Sequence, residues 1–235
     1  LEKYLKKINQ TNGNVIIVHG GGNIANDYFK KNNIPVKMIN GRRITDKIAI
    51  EKLVMLYSGK INKNIISKLN KSEKKYIGLS GVDSNVILSK KREIKEVDYG
   101  FVGDITSING IFLKLLIDNN IYPVICPITA DKNGLLLNTN ADTIATKVAI
   151  EMSEYYNLRL LYCFDKPGVL YNNKVIKRIN YHDYLNLLKN KTIKDGMIPK
   201  IENAFDSIKN GVKKVYIGDI NIFENPNNST EICLS

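Results

Sequence analysis

With 235 residues, 43% of them hydrophobic and 25% charged, the chain can bury a sizeable core and has the composition of an ordinary globular protein. No apolar run reaches the roughly 18 to 20 residues of a membrane helix, and the opening Leu1-Glu2-Lys3-Tyr4 lacks the apolar stretch of a secretory signal, so a cytoplasmic location without a membrane partner is expected. The net charge of +12 comes from lysines spread along the whole chain among many Asn and Ile; only Lys90-Lys91-Arg92 forms a patch, and without interleaved aromatic residues it gives no reason to expect a nucleic-acid partner.

Taken in order, apolar runs bounded by Gly, Asn or Asp alternate with segments of helical period, which predicts an α/β fold with a mainly parallel sheet. Strands are expected at 14–18, 76–79, 122–126, 158–164 and 214–217. Helices are expected at 24–32, 45–69, 108–119, 142–152, 182–190 and 199–210. Short hairpin strands are read at 86–89, 92–97 and 135–138, where lids and pocket walls are common. Cys126, Cys163 and Cys233 have apolar neighbours and no metal-ligand spacing, so core thiols are expected and no metal site.

The sharpest local feature is Val15-Ile16-Ile17-Val18-His19-Gly20-Gly21-Gly22-Asn23, a strand, turn and helix. Glycines there let the backbone approach a ligand closely, and the helix start offers N–H groups and the positive end of its dipole to an anion. His19 reads as an orienting or packing residue rather than a catalytic one. Neither common nucleotide loop is present: Ser58-Gly59-Lys60 lacks the earlier glycine and the following hydroxyl residue. Arg42 and Arg43, in Asn40-Gly41-Arg42-Arg43-Ile44-Thr45-Asp46, precede a helix, and an arginine so placed can grip a carboxylate by two parallel hydrogen bonds.

Asn138-Thr139-Asn140-Ala141-Asp142 opens a helix with more polar groups than one cap requires, making Asn138, Asn140 and Asp142 candidates for holding a polar substrate or orienting lysines. In Lys194-Asp195-Gly196-Met197-Ile198-Pro199-Lys200, the proline suits a first helical turn and sets the Lys200 ammonium at a helix start, where charge on a migrating phosphoryl group could be met. Phe164-Asp165-Lys166-Pro167-Gly168-Val169 ends a strand in a glycine turn and is compatible with the edge of a nucleotide site.

These segments, together with Gly78-Leu79-Ser80-Gly81-Val82-Asp83 and Asp98-Tyr99-Gly100-Phe101-Val102-Gly103-Asp104, closely resemble in order and spacing the N-acetylglutamate kinase pattern of the amino-acid kinase family, over nearly the whole chain from Asn14 onward. The resemblance implies a three-layer α/β/α sandwich with a mainly parallel central sheet. It implies a single domain of two lobes, an acylglutamate-binding lobe at 1–150 and an ATP-binding lobe at 151–235, usually paired as homodimers. By the same resemblance Gly21 and Gly22 would touch substrate or phosphate, Arg43 would bind the α-carboxylate, and Asn138, with Asn140 beside it, would hold the acylated amino acid. Asp142 would organise the catalytic lysines and Lys200 would stabilise the transition state. Nucleotide contacts would fall at Asp165, Gly168, Val169, Asp195, Gly196 and Met197, with Mg2+ entering on ATP rather than in a protein cage. The implied reaction moves the γ-phosphate of ATP to the side-chain carboxylate of N-acetylglutamate, with N-succinylglutamate as the other acyl choice. An aminoadipate-derivative or aspartate kinase, or a silent amino-acid-binding homologue, are the alternatives. The family also opens with a strand bearing Lys-x-Gly-Gly, which nothing before Asn14 matches; residues 1–8 resemble the helix that follows that strand, so the sequence is expected to begin downstream of the family's own start.

Overall fold

The computed structural model of the chain describes residues 1–39, 42–193 and 196–234. They form two compact units, one of Asn12–Ile144 and one of Leu1–Thr11 with Ala145–Ser235. The division at 144 and the grouping of the first eleven residues with the later unit differ from lobes of 1–150 and 151–235. A helix, α1 (Glu2–Gln10), accounts for the second difference: Lys7 pairs with Glu224, and Tyr4 stacks edge-on against Phe223 at 6.5 Å.

The Asn12–Ile144 unit contains β1 (Ile17–Val18), α2 (Gly22–Lys31), β2 (Met38–Ile39), β3 (Arg42–Arg43) and α3 (Lys47–Val54). A π-helical turn over Met55–Ile61 joins α3 to α4 (Asn62–Leu69). Then come β4 (Lys75–Leu79), β5 (Ile87–Lys91), β6 (Gly103–Ile108), α5 (Gly110–Asp118), β7 (Ile121–Ile125), β8 (Ile128–Ala130) and β9 (Leu136–Asn138). β1, β7 and β4 make a parallel sheet in that spatial order, and β6, β5, β8 and β9 make a second, mixed sheet. Phe29, Leu53, Val124 and Ile125 are fully buried, so the apolar stripes of α2 and α3 and the apolar run of β7 supply the core.

The other unit starts inside α6 (Ala141–Ser153), whose first turn belongs to the preceding one. It continues through β10 (Arg159–Cys163), β11 (Leu170–Tyr171), β12 (Lys174–Val175), β13 (Arg178–Ile179), α7 (Tyr181–Lys189), α8 (Met197–Lys209), β14 (Lys214–Gly218) and β15 (Thr230–Ile232). Its sheet runs β10, β14, β15, β13, with β10 parallel to β14 and β15 reversed. Leu160, Tyr162, Ile201, Phe205, Val215 and Ile217 pack into one core cluster.

Several expected elements change length for identifiable reasons. The first strand shortens to Ile17–Val18 and is only half-buried, because β1 stands at the edge of its sheet with β7 as neighbour. The helix read at 45–69 begins two residues late: the Thr45 backbone pairs with Tyr99 and Phe101, and Asp46 caps α3 by accepting from Ala49 N at 2.7 Å. Residues 92–97 are not a strand. The ladder ends where Arg92 N meets Val102 O, Glu93 turns back to Lys90, and the partner of β5 is β6.

Candidate functional site

In the Asn12–Ile144 unit the glycine turn sits where the sequence placed it. Gly21 caps α2 through its backbone alone, so the N-cap residue brings no side-chain acceptor to the leading N–H groups. Gly21 is demanded by packing, since a Cβ there would lie 2.6 Å from Ile61 Cδ1 and 2.7 Å from Tyr57 Cε1. Gly21→Ala is therefore expected to cost about 1–3 kcal/mol by overpacking, read as a lower denaturant midpoint. Gly22 has open space around the same position, so closeness to protein does not explain it.

His19 is buried and Asn62 is almost wholly so. Asn62 Nδ2 donates to Val124 O at 2.9 Å and lies 3.2 Å from His19 Nε2, while His19 Nδ1 lies 2.8 Å from Gly20 O. An amide nitrogen can only donate, so Nε2 accepts and Nδ1 carries the proton, a neutral tautomer that ties the glycine turn to α4 and β7. Burial pushes the His19 pKa below 6.5, against the weaker opposing pull of the Gly20 carbonyl. A base held neutral in the fold contributes stability that is complete above about pH 6.5 and is lost as pH falls toward its depressed folded pKa. Thermal unfolding from about pH 8 to about pH 5 should show a steeper fall below pH 6.5 in the native chain than in His19→Gln.

Arg43 is the second fixed point. Adjacent strand residues face opposite ways, and on β3 it is Arg43 that turns inward, 8% exposed. Its Nη2 donates to Asn26 Oδ1 on α2, its guanidinium carbon stands 4.9 Å over the Phe29 ring, and the Tyr57 hydroxyl is near enough to act on its charge. Burial lowers its pKa and Tyr57 opposes the shift. Its Nη1 is buried and has no hydrogen-bond partner among the described residues. Such an orphaned cationic donor costs free energy unless an acceptor arrives. Asn26 and Tyr57 were not picked out from the sequence. The signal for Asn26 was its place one helical turn beyond Gly22; Tyr57 had none, because it depends on the π-helical turn.

Buried polar stitches connect Arg43 to Asn138. Thr45 Oγ1 donates to Arg43 O at 3.2 Å, Asn138 Nδ2 donates to Thr45 Oγ1 at 3.1 Å, and Asn138 N donates to Phe101 O. Asn140 does cap α6, its Oδ1 accepting from Thr143 N at 3.0 Å and Thr143 Oγ1 at 3.3 Å. Asp142 is half-buried in the first turn of α6. Gly20 is near the same turn, with Ala141 Cβ 3.9 Å from where its own Cβ would be. The unit thus gathers Gly21, Arg43 and Tyr57 in one cluster, with Asn138 joined to it through Thr45. A cavity of about 560 Å³ in the same unit is lined by Lys90, Arg92, Lys95, Tyr99 and Asp104 among others, and by none of these candidates. Two of its cations are already met, Lys90 by Glu93 and Arg92 by Asp104.

In the other unit, Lys200 lies in the first turn of α8, whose N-cap Gly196 supplies no side-chain cap. Pro199 is the third residue of that helix, which begins at Met197 rather than 199. Asp195 and Lys194, like Asn40 and Gly41, lie outside the described residues. Asp165 is exposed at the end of β10, and Gly168 is buried where a Cβ would meet Thr230 Oγ1 at 2.6 Å. Val169 N donates to Thr230 Oγ1 at 2.8 Å, Val169 O accepts from Ile176, and its side chain joins the core. The backbone of Val169 is therefore occupied by its own unit. The cysteines depart from the expected core thiols: Cys126 is buried, but Cys233 is only partly so and Cys163 is exposed, because strand alternation puts it on the face opposite Tyr162. Although Cys163 has one side open, the protein around its sulfur pushes the thiol up to about 12, against the opposing pull of the nearby Lys200 ammonium.

Residues 1–219 match the family model described as the amino acid kinase family. The acetylglutamate kinase of Bacteroides fragilis is 42% identical over 221 residues, covering 92% of this chain and 85% of the relative. That of Cytophaga hutchinsonii is 42% identical over 222 residues, covering 92% and 84%. Among solved structures, smu.665 from Streptococcus mutans UA159 superposes with a TM-score of 0.83 at 32% identity, over 94% of this chain and 86% of that one.

Proposed function

Because the chain belongs to the amino acid kinase family, we propose that it is an acetylglutamate kinase, transferring the γ-phosphate of ATP to the side-chain carboxylate of N-acetylglutamate in arginine biosynthesis. A carboxylate oxygen attacks the γ-phosphorus in line, the bond from that phosphorus to the bridging oxygen breaks, and an acyl phosphate and ADP leave. Such a transfer needs alignment and positive charge more than covalent chemistry.

The observation that carries the acid-binding half of this reading is Arg43. A buried guanidinium with one donor nitrogen unmatched among the described residues is suited to a substrate carboxylate, and Asn26, Phe29 and Tyr57 hold it in place. The uncapped start of α2 at Gly21 and Gly22 supplies N–H groups for the phosphoryl oxygens or the acid, while Asn138 and Asn140 border the acylated amino acid and Asp142 orients the lysine side of the reaction. Lys200, in the uncapped first turn of α8, neutralises the charge that spreads over the phosphoryl group in the transition state. Asp165, Gly168, Val169, Asp195, Gly196 and Met197 mark the nucleotide side; for Gly168 and Val169 the role is to shape the turn, given their packing on Thr230. Mg2+ supplies charge neutralisation when it arrives with ATP, and the donor set of lysine and backbone N–H groups fits phosphate oxygens rather than the ion itself. A cytoplasmic homodimer belongs to the same reading, and light scattering tests the pairing.

The deciding assay measures ADP release from Mg-ATP with acetylglutamate and succinylglutamate side by side. Turnover with acetylglutamate, giving a hydroxylamine-trappable acyl phosphate, is expected. Binding of either acid without ADP release would instead identify a silent homologue.

A further inference from the structure

We propose that Tyr162 is a positioning residue for Lys200, its ring face fixing the ammonium and its hydroxyl, held by Thr146, fixing the ring. The proposal rests on the reading of Lys200 as the transition-state cation. All of its parts lie in the Ala145–Ser235 portion of one unit.

Lys200 Nζ stands 5.0 Å from the centroid of the Tyr162 ring, within the roughly 6 Å at which a ring quadrupole attracts a cation. Tyr162 is 3% exposed, so this face is desolvated and the attraction is stronger than at an open surface. Packing alone would be served by leucine or phenylalanine at this core position. The hydroxyl adds a requirement, because a buried O–H without a partner is costly. Thr146 Oγ1, itself fully buried on α6, meets that requirement at 2.5 Å.

Thr146 Oγ1 also lies 3.5 Å from Asn203 O, an acceptor that leaves it able to accept from Tyr162. Asn203 lies on α8 three residues beyond Lys200, on the same side of the helix. The ring is thus held from α6, the ammonium is carried by α8, and the strand between them, β10, supplies the tyrosine. A lysine side chain loses considerable rotamer freedom when held in one place. A rigid aromatic face that pre-orders it lowers the cost of presenting the charge to a phosphoryl group and leaves nucleotide affinity largely untouched.

The test is steady-state kinetics on the full chain, with ATP varied at saturating acetylglutamate, for Lys200→Ala, Tyr162→Leu, Tyr162→Phe and the double variant Tyr162→Leu/Lys200→Ala. Tyr162→Leu is expected to lower kcat by about three- to thirtyfold with KM for ATP changed less than about twofold. Tyr162→Phe, which keeps the ring, should recover most of that loss. In the Lys200→Ala background, Tyr162→Leu should cost nothing further, because its effect passes through the missing ammonium. An undiminished kcat in Tyr162→Leu, or the same fold-loss with and without Lys200, would overturn the proposal. If Tyr162→Leu does not fold, Tyr162→Met, which also removes the ring face but fills the core with a flexible apolar chain, replaces it in the same cycle with the same criterion. Lys200→Ala measured alone separates the two levels: unchanged turnover in that variant removes the underlying reading, and the proposal with it.

Discussion

Lys200→Ala lowers kcat by roughly two to three orders of magnitude while KM for ATP moves by less than about threefold. The first number is the usual effect of removing one preorganised donor aimed at charge that develops only in the transition state. The second follows because ATP in the ground state keeps its phosphate contacts with backbone N–H groups and with the ion it carries. The helix start behind Lys200 has no side-chain cap, so nothing on α8 replaces the lost ammonium. Single-turnover and equilibrium nucleotide-binding measurements on the same protein separate the two quantities. Equal losses in both would make Lys200 an ordinary nucleotide-binding residue.

Arg43→Leu has its effect on the other substrate. Each hydrogen bond from a charged group is worth about 1.5–3 kcal/mol, so loss of a two-point grip on a carboxylate should reduce kcat/KM for the acylglutamate by about a hundred- to ten-thousandfold. ATP affinity should barely change. Arg43→Lys should recover little, because an ammonium cannot reproduce the planar fork or its placement over Phe29. Titration calorimetry with acetylglutamate and with ATP checks both statements. A melting curve guards against trivial unfolding, since Asn26 and Tyr57 also lose their partner in this variant.

The parallel α/β organisation was legible because β4, β7, β10 and β14 are short runs of aliphatic and aromatic residues bounded by Gly, Asn or Asp, alternating with longer segments of helical period. The glycine turn was legible for a similar reason: its physical demands are local. What escaped depended on contacts distant in sequence. Residues 92–97 carry the β-branched Ile94 and Val97 among charged neighbours, yet the ladder they would have to join continues through β6 instead. Cys163 has apolar neighbours along the chain, but burial in a strand alternates, and Tyr162 takes the inner face. Tyr57 enters the site only through the widened turn at Met55–Ile61, which no 3.6-residue period announces. Arg43, by contrast, was reachable through its motif, while its orphaned donor was visible only once β3 was folded.

That widened turn also governs where the gene can gain or lose codons. It already accommodates one residue more than α-helical winding would, so a one-residue deletion there can be absorbed by tightening the turn, whereas a further insertion would swing α4 by about 100° relative to α3. Tyr57 and Asn62 could then not face Arg43 and His19 together. An insertion scan should find the stretch from Asp46 to Asn62 intolerant, yet accept extra residues in the exposed turn at 132–134, which is held by local bonds to Asp131.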